Sequence, residues 1–235
     1  MENVSGSPEK APEPMQQGSG SKAPLSRQAW LAALIERHGA ARQEKFSRGR
    51  VAICGLGGLG SRVAELLTRA GVGYLRLIDF DRLEATNLNR QWYFMEQLGR
   101  YKAEALADNL RRITPYAELD VHTVRITEDN LASLLADVDV IVEAFDNATC
   151  KAMLVNGVRE QFPRCHLVAA SGMAGFASAN AMRVRRLSEN FYLCGDGRSA
   201  ADAGDGLYGA RVNICSAQEA LVVLQLLAGE SVNIV

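Results

Sequence analysis

The chain has 235 residues, 48% of them hydrophobic, which is enough to bury one sizeable core and too much for a disordered chain. Its 26 lysines and arginines balance 27 aspartates and glutamates, which excludes the broad basic face that nucleic acid or an anionic membrane would need as main partner. No run approaches the ~20 apolar residues of a membrane span, and the N-terminus lacks the apolar core of a secretory signal, so a cytoplasmic protein is expected.

Residues 1–24 hold four of the six prolines with Gly, Ser and Glu, too little apolar surface to offset the entropy of ordering, and are expected to be a disordered tail. Residues 25–235 are expected to form a single domain. From Gln28 to about Phe46 the spacing of Trp30, Leu31, Leu34 and Ile35 predicts an amphipathic helix, broken near Gly39. Val51 to Cys54 then read as a buried strand. They run into the turn of Gly55, Gly57, Gly58 and Gly60, and Val63, Ala64, Leu66, Leu67 and Ala70 follow at helical spacing.

A second strand is predicted over 74–80, then a polar stretch, then a helix over 102–114 that Pro115 ends. Strands over 119–126 and 139–145 alternate with helices over 128–136 and 148–161. "HLVAASGMAG" and "SANAMRVRRL" read as two further strands, the second antiparallel. A Gly- and Asp-rich loop over 195–209 precedes a last helix over 213–228. The alternation defines an α/β class: a Rossmann-like, mostly parallel sheet with helices on both faces.

In such sheets ligands lie beyond the carboxyl ends of the strands, where helix N-termini point positive charge at anions. That rule collects Gly55 to Gly60 after the first strand, Asp79 and Asp81 after the second, and Asp146 with Asn147 after "IVEAF". Asp79 is placed to accept ribose hydroxyls. The turn lacks G-K-[ST], so it is not a P-loop, and cations for phosphate must come from elsewhere. Asn87, Asn89, Arg90 and Gln91 follow Asp79 closely, and Lys102 opens the next helix. Asp146 reads either as the cap of the helix beginning at Ala148 or as a carboxylate for Mg²⁺. The turn alone leaves open a dinucleotide oxidoreductase, a nucleotide-consuming enzyme and a non-catalytic nucleotide-binding scaffold.

"GLGGLGS", "DFDRLEATNLNRQ", "GRYKAEAL" and "EAFDNA", in this order and spacing, resemble the ThiF/MoeB/HesA family, bacterial relatives of ubiquitin-activating E1 enzymes. "RHG", "NLNRQWYF" and "VAASGMAGFASAN" look most like the shorter thiamine-pathway members that lack zinc, and the five cysteines of this chain contain no C-x-x-C pair. The resemblance implies the E1-like fold and an ATP- and Mg²⁺-dependent adenylyltransferase, with a ubiquitin-like sulfur carrier ending in Gly-Gly as partner. A molybdopterin-type carrier and a small carboxylate substrate are the alternatives within that chemistry.

By the same resemblance Gly55, Gly57, Gly58 and Gly60 hold the nucleotide and Asp79 its ribose. Asn87, Arg90 and Lys102 contact the triphosphate, and Asp146 holds Mg²⁺, with Asp81, Asn89 and Asn147 completing the nucleotide set. The family also donates an upstream arginine across a homodimer interface, for which Arg37 is the first choice, with Arg42 and Arg27 in reserve. Cys194, expected in an exposed turn, is the better of two thiols for a later sulfur step, the other being Cys215, but a structural role is the favoured reading of it.

Overall fold

The structure, a computed structural model, describes residues 25–200, 204, 206–232 and 234, so the expected tail at 1–24 lies outside the described residues. In chain order the elements are α1 (Arg27–His38), α2 (Ala40–Arg48), β1 (Arg50–Cys54), α3 (Gly58–Arg69), β2 (Tyr74–Ile78), α4 (Lys102–Ile113) and β3 (Glu118–His122). They continue as α5 (Glu128–Leu134), β4 (Val140–Glu143), α6 (Ala148–Gln161), β5 (His166–Ala170), β6 (Arg183–Ser188), β7 (Phe191–Gly195) and α7 (Gly209–Ala228).

β1, β4 and β5 are near-continuous apolar runs, and such strands need cover on both faces. The sheet order is β3-β2-β1-β4-β5-β7-β6, parallel except for β6, which runs antiparallel to β7. Alternate residues of β1 enter two cores: Val51 and Ile53 join Leu67, Leu106 and Val223 on one face, and Ala52 and Cys54 join Leu131, Leu154 and Val158 on the other. The order in which strands are added reverses between β1 and β4, which run parallel, and that switch point is where an open parallel sheet leaves a crevice at its carboxyl ends.

Most of the expected elements form with small shifts at their ends. The predicted first helix is two helices that meet at Gly39, whose φ of +81° suits glycine. β2 and β3 stop before Phe80 and Val124, because those segments leave the ladder to line the crevice. β7 is not foreseen at all. "FYLCG" pairs in parallel with β5 and takes Cys194 out of the expected exposed turn into the core, where it has no solvent exposure. β6, the basic edge strand carrying Arg183, Arg185 and Arg186, starts at 183 rather than 178; charged side chains of this kind discourage edge pairing. α7 begins four residues earlier than expected, at Gly209. No helix among the described residues is long and apolar enough to cross a membrane.

Close approach fixes one glycine. A Cβ at Gly60, on the first turn of α3, would sit inside the envelope of the Gly55 carbonyl oxygen, which is backbone and has no room to yield. Gly60→Ala is therefore expected to cost about 3 kcal/mol of stability, seen as a lowered melting temperature. Gly57→Ala, whose Cβ meets only Gln91 Nε2 at 3.7 Å, is expected to cost less. Equal losses at both positions would contradict this.

Candidate functional site

The turn after β1 is held from three sides. The Gly55 N–H donates to Ile78 O at 2.9 Å, the Leu56 N–H donates to Asp79 Oδ2 at 2.7 Å, and the Tyr93 hydroxyl donates to Leu56 O at 2.8 Å. Gly57 then opens α3 without a side-chain cap, so the first-turn N–H groups remain as donors at the positive end of the helix dipole. Gly57, Gly58 and Leu59 line a cavity of about 900 Å³ at the switch point. That volume is in the range of ligand sites. Gln91, buried beside Gly57, has its Oε1 unpartnered among the described residues and also lines the cavity.

Most of the residues singled out in the sequence meet here. Gly55, Gly57, Gly58, Asp79, Asp81, Arg90, Lys102, Asp146 and Asn147 all border the cavity. Asp79 is largely buried, and besides Leu56 it accepts the Asp81 N–H at 2.8 Å. Burial leaves its pKa above the usual carboxylate value, although Lys102 and the two N–H donors pull the other way. A carboxylate has about four acceptor positions, so capacity remains on the cavity side. Lys102 Nζ donates to Asp81 Oδ2 at 2.8 Å. Arg90 donates from Nη1 to Thr86 O and Asn89 Oδ1, neither of them a charge.

Asn147 takes the capping role for α6, accepting the Cys150 N–H at 3.0 Å, which settles the two readings of Asp146 in one respect: the neighbouring acid is not needed as a cap. Asp146 is exposed on the cavity rim.

Other expected residues lie elsewhere. Gly60 packs under the turn and does not border the cavity. Asn87 accepts the Glu84 N–H at 3.2 Å, and Asn89 donates to Leu207 O at 2.9 Å; both shape the loop rather than line the cavity. Of the upstream arginines, Arg42 is tied to Glu230 at 2.6 Å and Arg27 borders a separate polar cavity with Tyr74 and Tyr116. Arg37, with 80% of its side chain exposed, makes among the described residues a single ion contact, with Glu36 at 3.9 Å, and does not border the cavity of its own chain.

Two cavity cations escape a reading of the sequence. Arg125, in the segment after β3, lies 4.1 Å over the Phe80 ring at the rim. Lys151 donates to Glu143 Oε2 at 2.5 Å and to Ala170 O at 2.9 Å. The rule that ligands sit beyond strand ends would have found Arg125, since it follows β3 closely. Lys151 gives no such signal, because its position depends on the helical turn that brings it back over the ends of β4 and β5.

Behind Lys151 lies a second acid, Glu219 of α7, with no solvent exposure and both carboxylate oxygens unpartnered among the described residues. Burial pushes its carboxyl well above the usual range, Glu143 adds to that and Lys151 opposes it; the Cys194 and Cys215 thiols are its other titratable neighbours. A raised folded-state pKa means stability that is complete below the unfolded value of ~4.3 and is lost as pH climbs toward the folded value. Glu219→Gln, neutral throughout, is expected to melt higher than the parent at pH 8 and to lose that advantage at pH 4. Parallel melting curves across pH would contradict it.

Burial likewise raises the Cys194 and Cys215 thiols, so both are protonated and enclosed; this corrects the exposed turn expected at Cys194 and suits the structural role favoured for it. Cys150 is the cysteine that borders the cavity among the described residues.

Sheet order, glycine turn and the acid after β2 together define a Rossmann-like α/β protein with its cavity at the topological switch point. The ThiF family model matches residues 25–234, and the chain belongs to that family. Among its relatives is the sulfur carrier protein adenylyltransferase of Thermus thermophilus, 37% identical over 106 residues, covering 45% of this chain and 39% of that protein. Another is the molybdopterin-synthase adenylyltransferase of Salmonella typhimurium, 35% identical over 116 residues, covering 49% and 47%. The chain thus spans less than half the length of these two relatives. The solved ATP complex of the tRNA N6-threonylcarbamoyladenosine dehydratase of Escherichia coli shares the fold, with a TM-score of 0.79 at 21% identity over 88% of this chain and 98% of that one.

Proposed function

We propose that the protein is an ATP-dependent adenylyltransferase acting on the C-terminal Gly-Gly carboxylate of a ubiquitin-like sulfur carrier, of the kind that serves thiazole formation in thiamine biosynthesis. The observation that carries this reading is the charge balance of one cavity. Around the uncapped N-terminus of α3 it gathers Arg90 and Arg125 with no carboxylate partner among the described residues, Lys102 shared with Asp81, and the exposed acid Asp146. A polyanion with a bound cation matches that set better than a dinucleotide does. Both adenylyltransferase relatives support the reaction, and they differ in the carrier their names denote.

The carrier carboxylate, ionised at neutral pH, attacks the α-phosphorus of ATP; a carboxylate–phosphorus bond forms, the bond to the bridging oxygen breaks, and pyrophosphate leaves. No general base is required. The chain's part is positioning and neutralisation. The N–H groups of α3 receive phosphate oxygens, Asp79 orients the ribose, and Arg90 and Lys102 offset charge that shifts onto the leaving group. No group of three Asp, Glu, His or Cys able to hold a metal occurs among the described residues, but Mg²⁺ carried with ATP needs only one or two protein carboxylates, and Asp146 supplies one. When bound, that ion neutralises phosphate oxygens. Arg37, exposed and unengaged in its own cavity, fits donation to a second copy in a homodimer.

The test is exchange of labelled pyrophosphate into ATP with the purified chain and a recombinant carrier ending in Gly-Gly. Exchange is expected only when the carrier is present. Exchange without it, none with thiamine- or molybdopterin-type carriers, or stimulation by tRNA alone would overturn the reading.

A further inference from the structure

Arg211 lies in the first turn of α7 and is 5% exposed, although a cation at a helix N-terminus opposes the dipole. Its burial is compensated by acceptors from two loops. Nε donates to Ala174 O at 2.9 Å, Nη1 to Ala177 O at 2.5 Å and Ser178 O at 3.0 Å, and Nη2 to Asp196 Oδ2 at 2.6 Å. The Ser199 hydroxyl donates to Asp196 Oδ2 at 2.8 Å and accepts the Ala174 N–H at 3.1 Å. Arg211, Ala174, Ser199 and Asp196 thus close a ring. Burial works against the Asp196 charge, but the Ser199 and Arg198 N–H groups, the Ser199 hydroxyl and Arg211 outweigh it and hold the carboxyl at about 2. The ring therefore stays ionic throughout the physiological range.

The two loops it joins line the cavity through residues 171–174 and 199–200, while Arg211 itself does not border it. Ser171, Gly172, Met173, Ala174, Ser199 and Ala200 bring no charged side chain to the lining, in contrast to Arg90, Lys102, Arg125 and Asp146, so this wall suits an uncharged extended segment better than a polyanion. Gly172, at φ +81°, has no space for a side chain because Asp196 Oδ1 and the Gly197 N–H crowd it. The same loop holds Phe176, 83% exposed, against the Tyr208 ring at 4.0 Å between centroids.

We infer that the Arg211–Asp196–Ser199–Ala174 ring is a positioning device that sets the wall against which the carrier's extended C-terminal tail lies, and leaves nucleotide binding to the glycine side of the cavity. The inference rests on the adenylation reading. Arg211 is a positioning residue: its donors are spent on its own chain.

The experiment uses the full chain with Arg211→Lys, Asp196→Asn and Ser199→Ala, a fluorescent ATP analogue, and the Gly-Gly carrier. Arg211→Lys and Asp196→Asn are expected to raise the carrier KM ~10- to 100-fold with kcat at saturating carrier and the ATP-analogue Kd within about threefold of the parent. A purely structural role would lower the melting temperature and leave that KM alone. Ser199→Ala, which removes one neutral link, is expected to give a smaller rise in KM, and it carries the test if the ionic variants do not fold. An unchanged carrier KM, or equal losses for carrier and nucleotide, overturns the inference. Absence of carrier-stimulated exchange in the parent protein overturns the adenylation reading itself, an outcome distinct from stimulated exchange whose KM ignores the ring.

Discussion

Asp146→Ala is expected to lower carrier-dependent pyrophosphate exchange by ~10²–10³-fold while the melting temperature stays the same. The loss follows from where the acid sits: on the rim of the cavity, at the carboxyl end of β4, within the ring of cations that would face a triphosphate. The unchanged stability follows from what it does not do. Asp146 is exposed, and the cap of α6 is supplied by Asn147 instead. Surface changes away from caps and ion pairs usually fall within about 0.5 kcal/mol. Partial recovery of exchange at raised Mg²⁺ is also expected, because the carboxylate then contributes to ion affinity alone. Full activity, or a large fall in melting temperature with it, would contradict the role given to this residue.

Lys102→Met is expected to give a loss of similar size, ~10²–10³-fold, for a different reason. Lys102 opens α4 and is 7% exposed, so its ammonium is desolvated and stands at the positive end of a helix dipole. Both conditions disfavour a cation. Asp81, at 2.8 Å with about half its side chain exposed, and the nearby buried acid Asp79 oppose this. Lys102 also borders the cavity in which the triphosphate is proposed to lie, so its loss removes a positive charge from that site. The variant is expected to lose some stability with the Asp81 ion pair and to bind ATP weakly, with a flatter salt dependence. Strong destabilisation with intact exchange would make Lys102 a structural partner of Asp81.

Much of this site was legible before any coordinates. The buried runs of β1 and β4, the glycine turn between β1 and α3, and acids at strand ends specify a parallel sheet and its rim, because apolar pattern and chain direction are local properties. The less legible parts depend on contacts between distant segments. β7 is five residues between a tight turn and a glycine-rich loop, and only its pairing with β5 makes it a strand. Cys194 is enclosed for the same reason. Asn87 and Asn89 sit within the run most typical of the family, yet one holds the Glu84 N–H and the other reaches Leu207 across the sequence. Residue type there marks a hydrogen-bonding need and leaves open whether ligand or loop meets it. Arg211 shows the converse, a charged side chain with no motif around it that joins three segments.

The most direct test of the central claim is a crystal structure of the chain with a non-hydrolysable ATP analogue and Mg²⁺. Phosphate oxygens within hydrogen-bond reach of the Gly57–Leu59 N–H groups, Arg90 and Lys102, with the ion against Asp146, are the result this account predicts. An analogue seated elsewhere, or phosphates turned away from Arg90 and Lys102, would contradict it.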